Sequence, residues 1–548
     1  MVQKMAGNKR IKDPLYGYIR MDSWMVDYMD SPEFQRLRNI RQTGYESLYP
    51  SALHNRFVHS LGVLHLGNKA VKNFRKNVEK ISGIGEVQWD KWEHTFQLAC
   101  LLHDVGHSPF SHTGEDFYEQ EGNFREILGN TFKKKELNGP GKPHEVMSAL
   151  VGLDLIKKYD KNQMIDKELF ARCIIGAGYL KTEKNYLYAN AIIGMLNGSV
   201  IDVDKLDYLI RDAYVTGYDS VSLDVDRLLE SYTIIESKGK KRVAYKRGAL
   251  SVIENVVYAN DLEHRWIQNN PTILYDCKLL EYAIRHYDSY MKEYYCDDLK
   301  GCGNILCKKA LSQDGFQSEN LKLRLLCDDD IVAYLKNTDT SEIGRQYFDR
   351  HRRLTPMWKN EVDFTKIISG ELGDNRITEI MEELDRMEDV LKDTDSFFIN
   401  DDTKKKLEET YRKELEDTNG EQKTFGEKIE ERKKICAKNM KLFELFEGFQ
   451  QKNRLPDFQF AIVSNKSYES NYKKLELEEI YIELGKDRIP QFSETLQVNS
   501  VKGQRNVEGK IFYVYTTRKN KDQYKGDEDI GEAWAQYVSE NWRRIYGK

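Results

Sequence analysis

The stretch Lys91–Asp116, KWEHTFQLACLLHDVGHSPFSHTGED, decides how this chain is read. Its first part, Lys91 to His103, carries apolar residues at helical spacing and predicts a buried helix. Gly106 and Pro109 stop that helix. At its end stand His103 and Asp104, an imidazole directly followed by a carboxylate. His107, His112 and Glu115 follow shortly after. An apolar helix running into such a cluster predicts a polar site set in a helical core.

Working outward, the histidines crowd around this stretch. The chain has 11, and eight of them lie between His54 and His144. His59 precedes the stretch in HNRFVHSLGV, and Asp204 follows it in IDVDKLDY. His59, His103, Asp104 and Asp204 make a His-His-Asp-Asp set suited to one divalent ion. Imidazole and carboxylate together favour Mn, Fe, Co, Ni or Zn over a thiolate-loving ion.

Further elements follow from periodicity and breakers. Ser199 to Tyr214 predicts a helix with Asp202 at its N-cap. Ser251 to Tyr290 predicts two helices broken near Asn269-Asn270-Pro271. Strand signals are few before residue 360, so the first two-thirds reads as all-helical. Asp401 to Lys434 is nearly all charged and predicts a long solvated helix or helical pair. Phe458 to Val463 and Lys510 to Thr516 predict strands. The expected architecture is mainly α: an all-helical catalytic core over residues 1–355, then a smaller charged-helical and α+β region over residues 356–548.

Composition excludes several classes. The chain has 548 residues, 40% hydrophobic and 32% charged, with 11% aromatic. A charged share above the usual quarter excludes a membrane protein, and the aromatic content supports a packed core over global disorder. A net charge of -5 does not indicate a nucleic-acid binder. The N-terminus MVQKMAGNKRIKD has no apolar run of the secretory kind. The longest uncharged stretch, Tyr186 to Ile201, is too short and polar for a bilayer. Eight cysteines suggest a reducing, cytoplasmic setting. Cys296, Cys302 and Cys307 cluster in sequence without a fourth zinc ligand at finger-like spacing and read as free thiols.

The ordered series HNRFVHSLGV, LLHDVGHSPFSHTGED, KPHEV and IDVDKLDYLIRDAYVTGY resembles the HD-domain deoxynucleoside-triphosphate triphosphohydrolases, a family that includes bacterial dGTPases and vertebrate enzymes with a sterile-alpha-motif domain. IKDPLYGYIRM and SPEFQRLRNIRQTG resemble the N-terminal core of the vertebrate group, and the likeness extends over roughly residues 9 to 355.

The resemblance implies a reaction and its residues. Water attacks the α-phosphorus, the bond to the 5′ oxygen breaks, and triphosphate leaves intact. One divalent transition metal is expected on His59, His103, Asp104 and Asp204, with Mg as an accompanying ion on the triphosphate. His112 is the candidate proton donor with Glu115 orienting it, while His107 and His144 complete the histidine lining. Arg56 and Lys205 match phosphate contacts. Gln42, Tyr208 and Asp212 match residues that address the sugar, and Asp204, Tyr208 and Asp212 fall on one helical face. Lys9, Asp30, Gln35 and Arg38 coincide with an activating-nucleotide site, which allows for a GTP or dNTP activator. A homo-oligomer, tetramer or hexamer, is expected, with no membrane partner.

The sequence also departs from the vertebrate pattern. Thr43 and Ile267 stand where that group has a Leu and a Tyr that exclude a ribose 2′-hydroxyl. Ala259 stands where it has an Arg, Asn269-Asn270 replaces a basic pair, and Arg10 and Lys12 differ at the regulatory site. These departures keep open a hydrolase of another nucleotide: an NTP, an alarmone or single-stranded nucleic acid. A nucleotide-sensing module is the non-enzyme reading. Roles in dNTP-pool control or phage defence would follow from the dNTPase activity.

Overall fold

The helix predicted from Lys91 packs in a helical layer, and several of its neighbours start on a side-chain cap. In the computed structural model, which describes residues 8–119, 124–199, 201–218, 222–237, 240–299, 303–373, 376–417, 426–465, 480–484, 490–494, 510–517 and 529–546, two compact units are distinguished. The first comprises residues 1–267, 283–339 and 469–506. The second comprises residues 268–282, 340–468 and 507–548.

In the first unit a hairpin of β1 (Lys9–Asp13) and β2 (Gly17–Met21) leads into the helices. Helix α1 (Arg56–Ser82) starts on Asn55, whose side chain accepts from Val58 N at 3.1 Å. Helix α2 (Glu86–Leu102) ends in Leu98–Leu102, all fully buried. Helix α3 (Pro143–Tyr159) has proline at its first position, and the Glu145 side chain accepts from Lys142 N at 2.7 Å. Helix α4 (Lys167–Ile175) is capped by Asp166, which accepts from Leu169 N at 3.1 Å. Helices α5 (Tyr186–Leu196) and α6 (Val203–Thr216) follow. Asp202 caps α6 as expected, accepting from Lys205 N at 2.7 Å.

Helix α1 packs against α2, α5 and α6, and α4 packs against α2 and α3. Two glycines set the close approaches. A Cβ on Gly62 of α1 would lie 1.8 Å from Asp207 Oδ1 of α6. A Cβ on Gly106 would lie 2.3 Å from Ser148 N of α3. Both contacts press backbone or buried carboxylate against the glycine, so only hydrogen fits.

The mainly α architecture stands, and the helical breaks fall where expected. Helices Leu250–Glu263 and Pro271–Tyr295 flank a π-helical turn at His264–Gln268. The core differs from an all-helical reading by small antiparallel pairs: β1–β2, Tyr232–Ser237 with Lys240–Lys246, and Phe316–Gln317 with Lys322–Leu323. In KRIKD and GYIRM every second residue is an exposed or half-exposed polar group, and only Asp13, Ile19 and Met21 are buried, which leaves too few apolar positions for a strand pattern.

In the second unit, Phe460–Ser464 and Phe512–Thr516 pair antiparallel, and Thr355–Pro356 lines the other side of the latter. Phe512–Thr516 is buried throughout. The charged segment forms Asp401–Asp417 and Gly426–Asn453, the helical pair its composition predicts. Among the described residues no helix is long and apolar enough to cross a membrane.

Candidate metal centre and its surroundings

Three helices deliver the His-Asp set to one point. His59 stands in the first turn of α1, His103 and Asp104 end α2, and Asp204 stands in the first turn of α6. His59 Nε2 lies 2.9 Å from Asp204 Oδ1 and 3.3 Å from His103 Nε2. Asp104 Oδ2 is 3.7 Å from His59 Nε2, and Asp104 Oδ1 is 3.5 Å from His103 Nε2. His59 is fully buried and Asp104 almost so.

The other nitrogen of each ring is already held. His59 Nδ1 lies 2.8 Å from Asp207 Oδ2, and His103 Nδ1 lies 3.0 Å from the Cys100 carbonyl oxygen. Both partners are acceptors, so each Nδ1 carries the hydrogen and each Nε2 turns its lone pair inward. Two such lone pairs beside two carboxylates form a donor set that fits a divalent cation. The carboxylates make this point strongly negative, a charge that either a cation or a ring proton would neutralise. Burial works against a charged His59 ring, yet Asp204 and Asp207 outweigh it and push its pKa up to about 10. Burial would raise Asp104, but Arg56, His103 and His59 hold it well below the usual carboxylate range.

Asp207 belongs to a buried network that the sequence reading did not assign. Arg211, one turn along α6, donates to it through Nε at 2.9 Å and Nη2 at 3.1 Å. Tyr16, in the β1–β2 turn, donates its hydroxyl to Asp207 Oδ1 at 2.7 Å and stacks on His65. Asp13 takes Arg211 Nη1 at 3.1 Å and caps the Leu15 and Tyr16 amides. Burial alone would raise the Asp207 pKa; Arg211 and His59 outweigh it and keep the group ionised. The i, i+4 spacing of Asp207 and Arg211 is the one sequence signal of this network.

Beside the candidate metal centre lies a second group that could hold an ion, His107, His112, Glu115 and His144, whose ligand atoms fall within 4.8 Å of one another. His112 Nδ1 pairs with Glu115 Oε1, and His144 Nδ1 lies 2.8 Å from the same oxygen. The His107 and His144 rings stack at 4.1 Å. Burial opposes ionisation of Glu115, but His112 and His144 hold its pKa far below the usual range. His107 is pushed well down, first by burial and then by Arg56 and His144. His112 is 54% exposed, the one open member of the group. The loop before it turns through Phe110 and Ser111, both in the left-handed region at φ 53° and 57°. Asp328 stabilises that turn by accepting from Phe110 N at 2.7 Å and from Arg41 N at 2.9 Å.

The remaining expected residues take varied positions. Arg56 is buried and donates to Asp104 Oδ2 at 2.7 Å, Ser111 Oγ at 2.9 Å and the Gln42 carbonyl at 3.4 Å. Lys205 donates to the Gly198 carbonyl at 2.7 Å and pairs with Asp202. Tyr208 accepts from Asn260 Nδ2 at 2.6 Å. Asp212 Oδ1 lies 2.8 Å from His54 Nε2. Asn260 and His54 were not singled out from sequence because neither sits at a telling spacing. Thr43 Oγ1 and Gln42 Oε1 are buried without a hydrogen-bond partner among the described residues, and Ile267 and Ala259 are buried.

The expected regulatory set lies together at the surface. Lys9 pairs with Asp30, Gln35 donates to the Met29 carbonyl, and Arg38 donates to Gln35 Oε1 while its guanidinium covers the Phe57 ring at 3.6 Å. Of the cysteine trio, Cys296 is exposed and Cys307 buried, and Cys302 lies outside the described residues.

The HD domain family model matches residues 56–174, the stretch that carries His59, His103 and Asp104. The chain is also similar to proteins named as deoxynucleoside triphosphate triphosphohydrolases. It is 32% identical over 233 residues to the "Deoxynucleoside triphosphate triphosphohydrolase SAMHD1 homolog" of Dictyostelium discoideum, covering 42% of this chain and 41% of that protein. It is 28% identical over 282 residues to the SAMHD1 of Danio rerio, covering 47% and 41%. An uncharacterized protein of Methanocaldococcus jannaschii is 30% identical over 277 residues, covering 50% and 49%. The chain thus spans about half the length of the curated relatives it matches. A crystal structure of a hypothetical protein from Aquifex aeolicus shares the fold at TM-score 0.50 and 18% identity, covering 93% of this chain and 96% of that one.

Proposed function

We propose that this chain hydrolyses dNTPs, dGTP among them, to deoxynucleoside and inorganic triphosphate. The observation that carries the reading is the convergence of His59, His103 and Asp204, with Asp104 close by, beside a His112–Glu115 pair. A divalent transition metal held by those four residues would supply Lewis acidity and lower the pKa of water. The chain's own groups do the rest. Arg56, buried against Asp104, meets phosphate charge. Water adds to the α-phosphorus as the bond to the 5′ oxygen breaks. His112 gives the leaving oxygen its proton from Nε2, while Glu115 holds Nδ1 and stabilises the charged ring. Gln42, Tyr208 and Asp212 address the sugar.

Lys9, Asp30, Gln35 and Arg38 form the candidate site for a GTP or dNTP activator, and assembly into a homo-oligomer fits the same reading. Control of dNTP pools or defence by nucleotide depletion would be the biological outcome. A second reading, turnover of ribonucleotides, is favoured by one observation. Thr43 Oγ1 is a buried hydroxyl without a partner among the described residues, and it offers a hydrogen bond where a Leu would reject a 2′-hydroxyl.

The test is incubation with Mn²⁺ and each of four dNTPs and four NTPs, with and without GTP, resolving products by mass. Deoxynucleoside plus intact triphosphate is expected. Stepwise release of orthophosphate, or no turnover of any of them by metal-loaded protein, would overturn the reading.

A further inference from the structure

The segment Ile40–Gln42 is tied to the residues that open α1. Arg56 N donates to the Ile40 carbonyl at 2.9 Å, Gln42 N donates to the His54 carbonyl at 3.0 Å, and Arg41 and Asn55 form an antiparallel bridge. The His54 side chain reaches the other way, to α6, where Nε2 lies 2.8 Å from Asp212 Oδ1. The two side chains are 5% and 2% exposed. His54 therefore links, through its backbone and its ring, the two elements that carry Gln42 and Asp212.

These two residues present the same chemistry. Gln42 Oε1 and Asp212 Oδ1 are buried acceptors with no hydrogen-bond donor among the described residues. The close approach of His54 to Asp212 is not aligned as a hydrogen bond, so it places the carboxylate without using its acceptor capacity. A pair of acceptors calls for a donor, and an uncharged hydroxyl is the donor that a buried site takes at least desolvation penalty.

We infer that His54 is a positioning residue for hydroxyl recognition: it fixes Asp212 relative to Gln42 so that the pair meets a sugar hydroxyl of the substrate. The inference rests on the dNTP reading and adds a residue to it. A purely structural His54 would stabilise the fold and affect all ligands alike. A positioning His54 affects only ligands that carry the hydroxyl.

The experiment compares wild type, His54→Gln, Asp212→Asn and the double variant. KM for dGTP is measured with the Ki of 2′,3′-dideoxyGTP as competitor, and bound metal and unfolding midpoints are recorded alongside. Loss of one hydrogen bond to a charged group corresponds to about tenfold in affinity. His54→Gln is expected to raise KM for dGTP about tenfold, to shift the dideoxy Ki far less, and to add nothing to Asp212→Asn. Equal weakening of both ligands, additive effects in the double variant, or an unchanged KM would overturn the inference. If His54→Gln does not fold, His54→Asn takes its place under the same criteria. Wild type that turns over no dGTP would overturn the dNTP reading and this inference with it, whereas active wild type with an indifferent His54 would overturn the inference alone.

Discussion

His59 Nδ1 lies 2.8 Å from Asp207 Oδ2, with both side chains fully buried. The contact fixes which nitrogen of His59 faces Asp204 and His103. It also ties the candidate metal centre to Arg211 and, through Tyr16, to the β1–β2 turn.

Asp207→Asn should therefore act on metal retention. An amide accepts less strongly from Nδ1–H, and partners of this kind are worth about 10–100-fold in metal affinity. Competition against a chelator, read by metal analysis, should show a loss in that range. Unchanged affinity would mean that Asp207 serves only its ion pair with Arg211.

Gly62→Ala should strain the same place from the other side. The added methyl meets Asp207 Oδ1 at 1.8 Å and Arg211 Nη2 at 2.6 Å, both in a packed layer. Overpacking of this kind costs about 1–3 kcal/mol. Urea unfolding should show that loss together with weaker metal binding. A variant as stable as wild type would contradict the packing described between α1 and α6.

His112→Ala and Glu115→Gln should separate catalysis from metal binding. Removing a general acid typically costs about 10²–10⁴-fold in rate. Turnover of dGTP should fall in that range for His112→Ala, with metal content unchanged because neither residue belongs to the His59 set. Loss of the metal in either variant would move these residues into the metal centre.

Asp328 supplies a pH test of stability. Burial raises its pKa from 3.8 to about 6, against the lowering effect of the Arg41 and Phe110 amides and the Arg41 charge, with Asp329 adding to the rise. An acid with a raised folded-state pKa binds more protons folded than unfolded, so stability falls as pH rises through the window between the two values. At about 1.4 kcal/mol per unit, the fall approaches 3 kcal/mol, as an order of magnitude. Asp328→Asn removes this dependence, so the variant should gain on wild type between pH 4 and pH 7. A variant that loses ground over that range would show that the two amide hydrogen bonds dominate.

What the sequence discloses follows from distance along the chain. His103, Asp104, His107, His112 and Glu115 stand in one short run at the end of a visibly apolar helix, so they are legible together. Asp204 is legible because it opens a helix whose cap, Asp202, marks the start, and His59 because it stands in the histidine-rich run HNRFVHSLGV. Asp207 lies on the same helix as Asp204 but reads as an ordinary partner of Arg211. Tyr16, 191 residues away from Asp207, gives no local sign of its contact. His54 and Asn260 escape notice for the same reason. The β1–β2 strands escape because their charges hide the alternation, while Phe460–Ser464 and Phe512–Thr516 are apolar enough to read directly.

Hydrolysis of dGTP in oxygen-18 water tests the proposed attack at the α-phosphorus most directly, with His103→Ala, Asp104→Ala protein as the blank. The expected result is deoxyguanosine without label and triphosphate carrying one labelled oxygen on a terminal phosphate, with no turnover in the blank. Label in the deoxyguanosine, labelled orthophosphate with dGDP, or undiminished turnover by the blank would contradict it.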